Sequence, residues 1–516
     1  MSSFTWIVAA LILAAILDLG LMVVLRRAWR AGRAAPVEPV AEQTESIPAP
    51  RQRWVHSRWL EWGILLLAVT LYCAGILDLG APTRLPGNES EIFQMLDQVL
   101  VNSLLDFGKF PLWNPYIQTG APFIADPMLH VYNPVVTLPV LLWGVQAGFK
   151  LGIYFSFLIA ALGMWKLADT LGMGRAARLW TALMFTFAGQ PAARFFQGQY
   201  LFVLGFAYIP WIIHHLLRIS SAISTPADER AKSIPFGGPW LKPALQAVLA
   251  LALLFFSGNA YYPLYVLLAI ALLMLVLLPN FQRQPPFIKL NLRLLNSYLF
   301  VGVLAVGLIA IQLLPTAEFW PRLNKDTNLA GSQSLAQIYL DYTSKDSYRP
   351  DAYSVLPARE EFYAYIGVTP FMALSLLPLA LWQRPRRPQV FFLLLLGLTV
   401  VWISLEAMPW YSAFLNTRLF IQFRHLLRIL IIGGFALITL AGLGLDTLWK
   451  IFSRALAQLK QNTPQISPRS QKLLRFSLLA GLVLLGVFMS AGLLDVFNTN
   501  QIILRTQPVY QPAFNV

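Results

Sequence analysis

Residues 133–147 read Asn133-Pro134-Val135-Val136-Thr137-Leu138-Pro139-Val140-Leu141-Leu142-Trp143-Gly144-Val145-Gln146-Ala147, and the sidedness of the whole chain turns on whether they cross a membrane. The run begins Asn-Pro, carries a second proline at Pro139, and falls short of the roughly 20 apolar residues that a helix needs to span a bilayer core. Of 516 residues, 57% are hydrophobic and 12% charged, with a mean hydropathy of +0.59. That is half the charge of an ordinary globular chain. Long apolar runs recur near 5–25, 60–80, 148–168, 176–193, 199–217, 242–258, 260–279, 297–317, 364–382, 389–406, 428–448 and 475–495. They do not alternate as barrel strands do. The sequence predicts an all-α polytopic membrane protein of about 12 transmembrane helices.

Charge decides the case of 133–147. If that stretch does not cross, residues 26–59, 166–178, 218–242, 280–296, 383–388 and 449–475 share one side. With Asp18, Glu61 and Asp446 at their edges they hold 26 Lys+Arg against 9 Asp+Glu, and the other side holds the remaining 13 and 15. The two balances, +17 and −2, sum to the net +15. The basic set belongs to the cytoplasm by the positive-inside rule. If 133–147 crossed, Arg384, Arg386, Arg387 and the Lys450–Arg475 cluster would all lie outside. The stretch is therefore expected to be interfacial or re-entrant, and both termini extracytoplasmic. The basic excess faces anionic headgroups and calls for no nucleic acid.

Residues 1–26 carry no basic side chain before the apolar run, while Arg26, Arg27, Arg30 and Arg33 follow it. This predicts an uncleaved anchor with its N-terminus outside. Asp18 lies inside that run, where a charge costs roughly 2.5–3.5 kcal/mol, so the anchor offers a contact to a membrane protein partner. Residues 34–50 are rich in Ala, Pro and Glu, and 27–59 read as a cytoplasmic linker. A core over 60–450 follows, with long outside loops at 81–147 and 318–363. Residues 451–516 supply a cytoplasmic segment, the last helix and an outside tail. The one cysteine, Cys73, allows no intrachain disulfide. No HExxH, Walker or GxGxxG pattern is present, and no cofactor is implied.

The first outside loop opens with Gly87, Asn88, Glu89, Ser90 and Glu91. Ile92, Met95, Leu96, Val99 and Leu100 then fall on one helical face, predicting an amphipathic helix on the membrane. Glu89 and Glu91 suit the positive end of that helix. They are equally candidates for a general base that takes a proton from an acceptor hydroxyl. Asp126, before Pro127, is a turn residue or a second carboxylate. Trp113 and Tyr116 offer flat faces to a sugar ring or anchor the loop at headgroup depth. Arg194, Arg418, Arg424 and Arg428 are cations on the outer side, and Arg424 and Arg428 stand four apart. Arginine suits phosphate oxygens, and lipid headgroups can also draw it.

The succession Lys109-Phe110-Pro111-Leu112-Trp113-Asn114-Pro115-Tyr116, Gly120-Ala121-Pro122-Phe123, Ala125-Asp126-Pro127 and Tyr132-Asn133-Pro134 resembles the first outside loop of bacterial YfhO-like membrane proteins. Gln312-Leu313-Leu314-Pro315-Thr316-Ala317-Glu318, Tyr365-Ile366-Gly367-Val368 and Phe423-Arg424-His425-Leu426-Leu427-Arg428 extend the likeness over most of 60–450. That family is similar to the polyprenyl-phosphate-dependent, GT-C-type glycosyltransferases. The resemblance implies a GT-C-like fold in the bacterial inner membrane and a polyprenyl-phosphate sugar as co-substrate for cell-envelope work. It implies Glu89 or Glu91 in the place of the catalytic acid residue, with the question of a divalent metal left open. The rival readings are a transporter or flippase of lipid-linked substrate and a non-catalytic scaffold subunit.

Overall fold

Proline divides the apolar runs more finely than hydropathy does. The computed structural model describes residues 51–80, 83–87, 89–117, 119–224, 238–281, 288–322, 334–345, 363–382, 386–405, 425–461 and 468–508. The expected anchor at 5–25, Asp18, Arg424, and most of the 318–363 loop lie outside these residues. In chain order the helices are α1 (Arg51–Tyr72), α2 (Ser90–Phe107), α3 (Pro134–Trp143), α4 (Val145–Thr170), α5 (Arg175–Thr186), α6 (Gly189–Gln197), α7 (Tyr200–Phe206), α8 (Ile209–Ser224) and α9 (Leu241–Phe255). They continue with α10 (Tyr261–Leu277), α11 (Leu292–Phe319), α12 (Leu335–Thr343), α13 (Thr369–Ala373), α14 (Leu377–Trp382), α15 (Arg387–Ser404), α16 (Leu430–Gln461) and α17 (Pro468–Gln501).

Among the described residues six helical segments are long and apolar enough to cross a membrane: Val145–Thr170, Tyr200–Ile223, Leu292–Arg322, Arg387–Ser404, Leu426–Leu459 and Arg469–Gln501. The expected count of about 12 is not reached. The run at 176–193 shows why. Pro191 cannot donate to the Phe187 carbonyl four residues back, and its ring crowds that oxygen. α5 stops at Thr186, and α6 restarts with Pro191 in its first turn, where no donor is needed. The freed Phe187 carbonyl accepts instead from Asn500 Nδ2 at 2.7 Å. The 364–382 run is likewise broken into α13, a 3-10 turn and α14. Residues 134–143 form a ten-residue helix, shorter than a bilayer crossing, capped by Asn133 accepting from the Val135 amide at 3.1 Å.

Two polar clusters mark the ends of the bundle. At one end Lys150 donates to Asp78 Oδ1 and Thr83 Oγ1, both at 2.9 Å. At the other, Arg58 lies 3.6 Å from Asp169. Lys150 and Asp169 are separated along α4 by roughly 28 Å at 1.5 Å per residue, close to the ~30 Å hydrocarbon thickness of a bilayer. The Asp169 end also gathers Glu61, Arg175 and Arg178, and there Asp446 accepts from Arg386 at 2.9 Å, Lys450 at 2.7 Å and the Gly174 amide at 2.6 Å. These are segments that the charge count assigns to one side. The Asp78 end carries the first loop and residues 501–508, whose short strand Gln507–Pro508 pairs antiparallel with Thr83–Arg84.

The Tyr200–Ile223 and Leu426–Leu459 segments are almost wholly buried, whereas α11 and α17 lie at the periphery. α11 presents Leu299, Val303, Ile311 and Leu314 outward, Val303 at 71% exposure. A large apolar face of this kind belongs against lipid. The chain is a multi-pass membrane protein.

Candidate functional site

The first loop is fastened to the bundle backbone to backbone. Gly87 (φ 91°) and Gly198 (φ 86°) face each other, and a Cβ on Gly87 would stand 2.1–2.2 Å from the Gln197 carbonyl group. Only glycine permits both the positive φ and the approach. Beside them the Tyr200 hydroxyl donates to the Pro86 carbonyl. This clasp sets the start of α2 against the turn between α6 and α7.

Glu89 sits at that start as the N-cap of α2, yet its side chain makes no capping hydrogen bond. Its Oε1 accepts from Gln199 Nε2 at 3.2 Å, and Gln199 Oε1 accepts from Arg194 Nη1 at 2.7 Å. Arg194 has no exposed surface, and its Cζ lies 5.1 Å from the Phe202 ring centroid. Arg428 Cζ lies 4.7 Å from the same ring and 4.5 Å from that of Tyr261. One ring is thus flanked by two guanidiniums, an arrangement that desolvated cation–π attraction stabilises by about 2 kcal/mol per pair. Glu89, Arg194 and Arg428, far apart in sequence, meet at one end of the bundle. A carboxylate that can take a proton stands near two cations that can hold an anion.

Glu91, Asp126, Trp113 and Tyr116 make no described contact with this group. Glu91 is exposed in the first turn of α2. Asp126 closes an Asx-type turn, Oδ1 accepting from the Met128 amide at 2.8 Å, and burial raises its pKa despite that bond and nearby His130. Trp113 and Tyr116 are 53% and 61% exposed on a hairpin in which the strand Trp113–Asn114 pairs with Ala121–Pro122, the Trp113 indole covering Gly120. Arg428 lies in a 3-10 turn, Leu426–Ile429, preceded by His425 with a non-helical backbone (φ −93°, ψ 75°). The helical register expected between positions 424 and 428 is interrupted there, and Arg428 shares the Phe202 ring with Arg194. Among the described residues no three His, Cys, Asp or Glu side chains cluster as a metal site.

α2 buries most of the face its apolar spacing predicts, rotated slightly. Leu96, Val99 and Leu100 are buried and Met95 is half-buried, but Ile92 is 43% exposed while Phe93 and Asp97 point inward. The reason is Asp97, whose Oδ2 lies 3.1 Å from His130 Nε2 in a pair with no exposed surface. Phe93 and Phe149 close on the imidazole edge-to-face. A pattern read on hydrophobicity turns a carboxylate outward; its partner 33 residues away turns it in.

Burial alone would lower the His130 pKa, but the Asp97 charge and hydrogen bond outweigh it, with help from the Met128 carbonyl and Asp126, and the pKa is raised. The folded protein therefore keeps this proton to higher pH than the unfolded chain, whose histidines titrate near ~6.5. The pair's contribution is complete below that pH and is lost as pH rises through the raised value. The melting-temperature gap between wild type and His130→Gln should be largest near pH ~6 and shrink toward pH ~9. A gap that does not change with pH would mean the imidazole is neutral in the fold.

No protein-family model and no curated protein matches the sequence. Solved structures do. The Archaeoglobus fulgidus oligosaccharyltransferase tethered with an acceptor peptide containing the NVT sequon matches with a TM-score of 0.50 at 12% identity, over 88% of this chain and 56% of that one. At that identity the likeness is one of fold alone. The archaeal oligosaccharyltransferase AglB from Archaeoglobus fulgidus, in complex with an inhibitory peptide and a dolichol-phosphate, gives 0.48 at 12% identity, over 88% and 57% of the two chains. ArnT from Cupriavidus metallidurans bound to undecaprenyl phosphate gives 0.41 at 13% identity, over 88% and 76%. The chain spans a little over half the length of the oligosaccharyltransferase.

Proposed function

We propose that this chain is an integral membrane glycosyltransferase of the YfhO-like, GT-C kind. It would move a sugar from a polyprenyl-phosphate donor to an extracytoplasmic acceptor hydroxyl of the bacterial cell envelope. One observation carries the reading: Glu89, Gln199, Arg194, Phe202 and Arg428 form a continuous contact chain that joins a carboxylate to two guanidiniums. In the transfer the acceptor oxygen attacks the anomeric carbon and its proton passes to Glu89. The bond from that carbon to the phosphate oxygen breaks, and the electron pair leaves on the lipid phosphate, where Arg194 and Arg428 meet the charge. Arg424 would add a third cation and Asp126 or Glu91 a second carboxylate. Trp113 and Tyr116 would receive the sugar or acceptor from the loop.

Binding of undecaprenyl phosphate to the purified protein in nanodiscs tests the cation assignment. A charge-assisted hydrogen bond contributes about 1.5–3 kcal/mol, so Arg428→Gln should weaken binding about tenfold to a hundredfold. Arg194→Lys, which keeps the charge but not the planar fork, should lose less. Unchanged affinity in both variants would reject Arg194 and Arg428 as the phosphate site.

A further inference from the structure

We infer that Gln199 is the positioning residue of this site, its amide orienting the Glu89 carboxylate while standing between it and Arg194. The inference rests on the glycosyltransferase reading above. Gln199 lies in the turn between α6 and α7 and is 5% exposed, its own amide N–H donating to the Arg194 carbonyl at 2.8 Å. Backbone and side chain are therefore both tied to Arg194, and the glycine clasp brings Glu89 to the remaining end.

The partners fix which end of the amide is oxygen. With Oε1 toward the guanidinium and Nε2 toward the carboxylate, both contacts attract, and a flipped amide would make both repel. A glutamate here would satisfy Arg194 and repel Glu89, and a lysine would do the reverse. The neutral amide serves both charges at once. It also holds the two apart, so that Arg194 is not drawn onto the carboxylate and away from the donor phosphate.

Among the described residues the hydrogen bond from Gln199 is the one that the Glu89 carboxylate receives. Oε1 is thereby occupied and Oε2 is left to take the acceptor proton. Among the described residues no second hydrogen bond sets its plane. Misplacing a reacting group by about 1 Å can cost 10²-fold in rate, and that is the loss to expect when the tether is removed.

The test uses the full-length protein in nanodiscs and a panel of undecaprenyl-phosphate hexoses. Gln199→Leu and the isosteric Gln199→Glu should each lower kcat for hexose transfer about 100-fold. Gln199→Leu should leave the donor KM and the affinity for sugar-free undecaprenyl phosphate within about twofold, since Arg194 keeps its place on Phe202, whereas the Gln199→Glu carboxylate pairs with Arg194 and should raise the donor KM. Because Gln199 acts through Glu89, adding either change to Glu89→Gln should lower the rate less than about twofold further. If Gln199→Glu keeps kcat within about threefold of wild type while Glu89→Gln is inactive, the positioning role is wrong and the glycosyltransferase reading stands. If Glu89→Gln is itself as active as wild type, the reading falls and takes this role with it. Parallel losses in kcat and in lipid binding for both Gln199 variants would make Gln199 part of the phosphate site, and would equally overturn the proposal.

Discussion

Glu89→Gln is expected to lower hexose transfer by about 10²–10⁴-fold, the range that a positioned general base supplies. The change is isosteric and keeps a hydrogen-bond acceptor opposite Gln199, so the glycine clasp at Gly87 and Gly198 and the Arg194–Phe202–Arg428 stack should be undisturbed. Undecaprenyl phosphate binding should accordingly stay within about twofold, which separates lost chemistry from lost donor binding. Glu91→Gln is the companion measurement. Glu91 is exposed, and its substitution should leave transfer within about threefold. Reversed results would move the base two residues along, into the first turn of α2, and full activity in the double variant would remove the base from both glutamates.

How much of this was readable beforehand differs between fold and site, for a physical reason. Twenty-residue apolar runs and the grouping of Arg and Lys are properties of local composition. They foretold a helical membrane protein, and its ten-residue helix at 134–143 follows from the two prolines and the short run. The breaks at Phe187 and Leu374 were harder, because a hydropathy window averages over a proline whose effect falls on one carbonyl four residues earlier. Glu89, Arg194 and Arg428 were named from chemistry alone, since each is a charged group in an outer segment. Their meeting was not legible: it depends on Gly87 and Gly198 closing two backbones together and on Phe202 receiving both guanidiniums. Gln199 gave no signal at all, as an uncharged amide in an apolar stretch. Asp97 and His130 were invisible for a related reason, because periodicity assigns a residue to a face but never supplies its partner.

The largest stability effect is expected at the opposite end of α4 from Lys150. Glu61, 1% exposed, is held by Arg178 through Nε at 2.8 Å and Nη2 at 2.7 Å and by Trp165 Nε1 at 2.6 Å, while Arg178 Nη1 reaches Asp169 and its Cζ lies 4.9 Å from the Trp165 ring centroid. Arg178→Met would strip Glu61 of its bidentate partner and leave Arg175, at 3.5 Å and largely solvent-exposed, as its remaining described cation. Breaking a buried pair on one side costs about 3–5 kcal/mol, because the surviving charge stays desolvated. Replacing both members costs much less. Glu61→Gln combined with Arg178→Met should therefore recover more than half of the loss, a coupling readable from denaturant midpoints of the four proteins in one detergent. Additive losses would show that Arg178 stabilises the bundle through its stacking on Trp165 rather than through Glu61. The site should be indifferent to either outcome, since roughly 28 Å of α4 separates this cluster from the end that carries Glu89. Variants that remain folded should keep the donor KM of wild type. The proposed transfer site and this stabilising charge cluster thus sit at the two ends of one bundle.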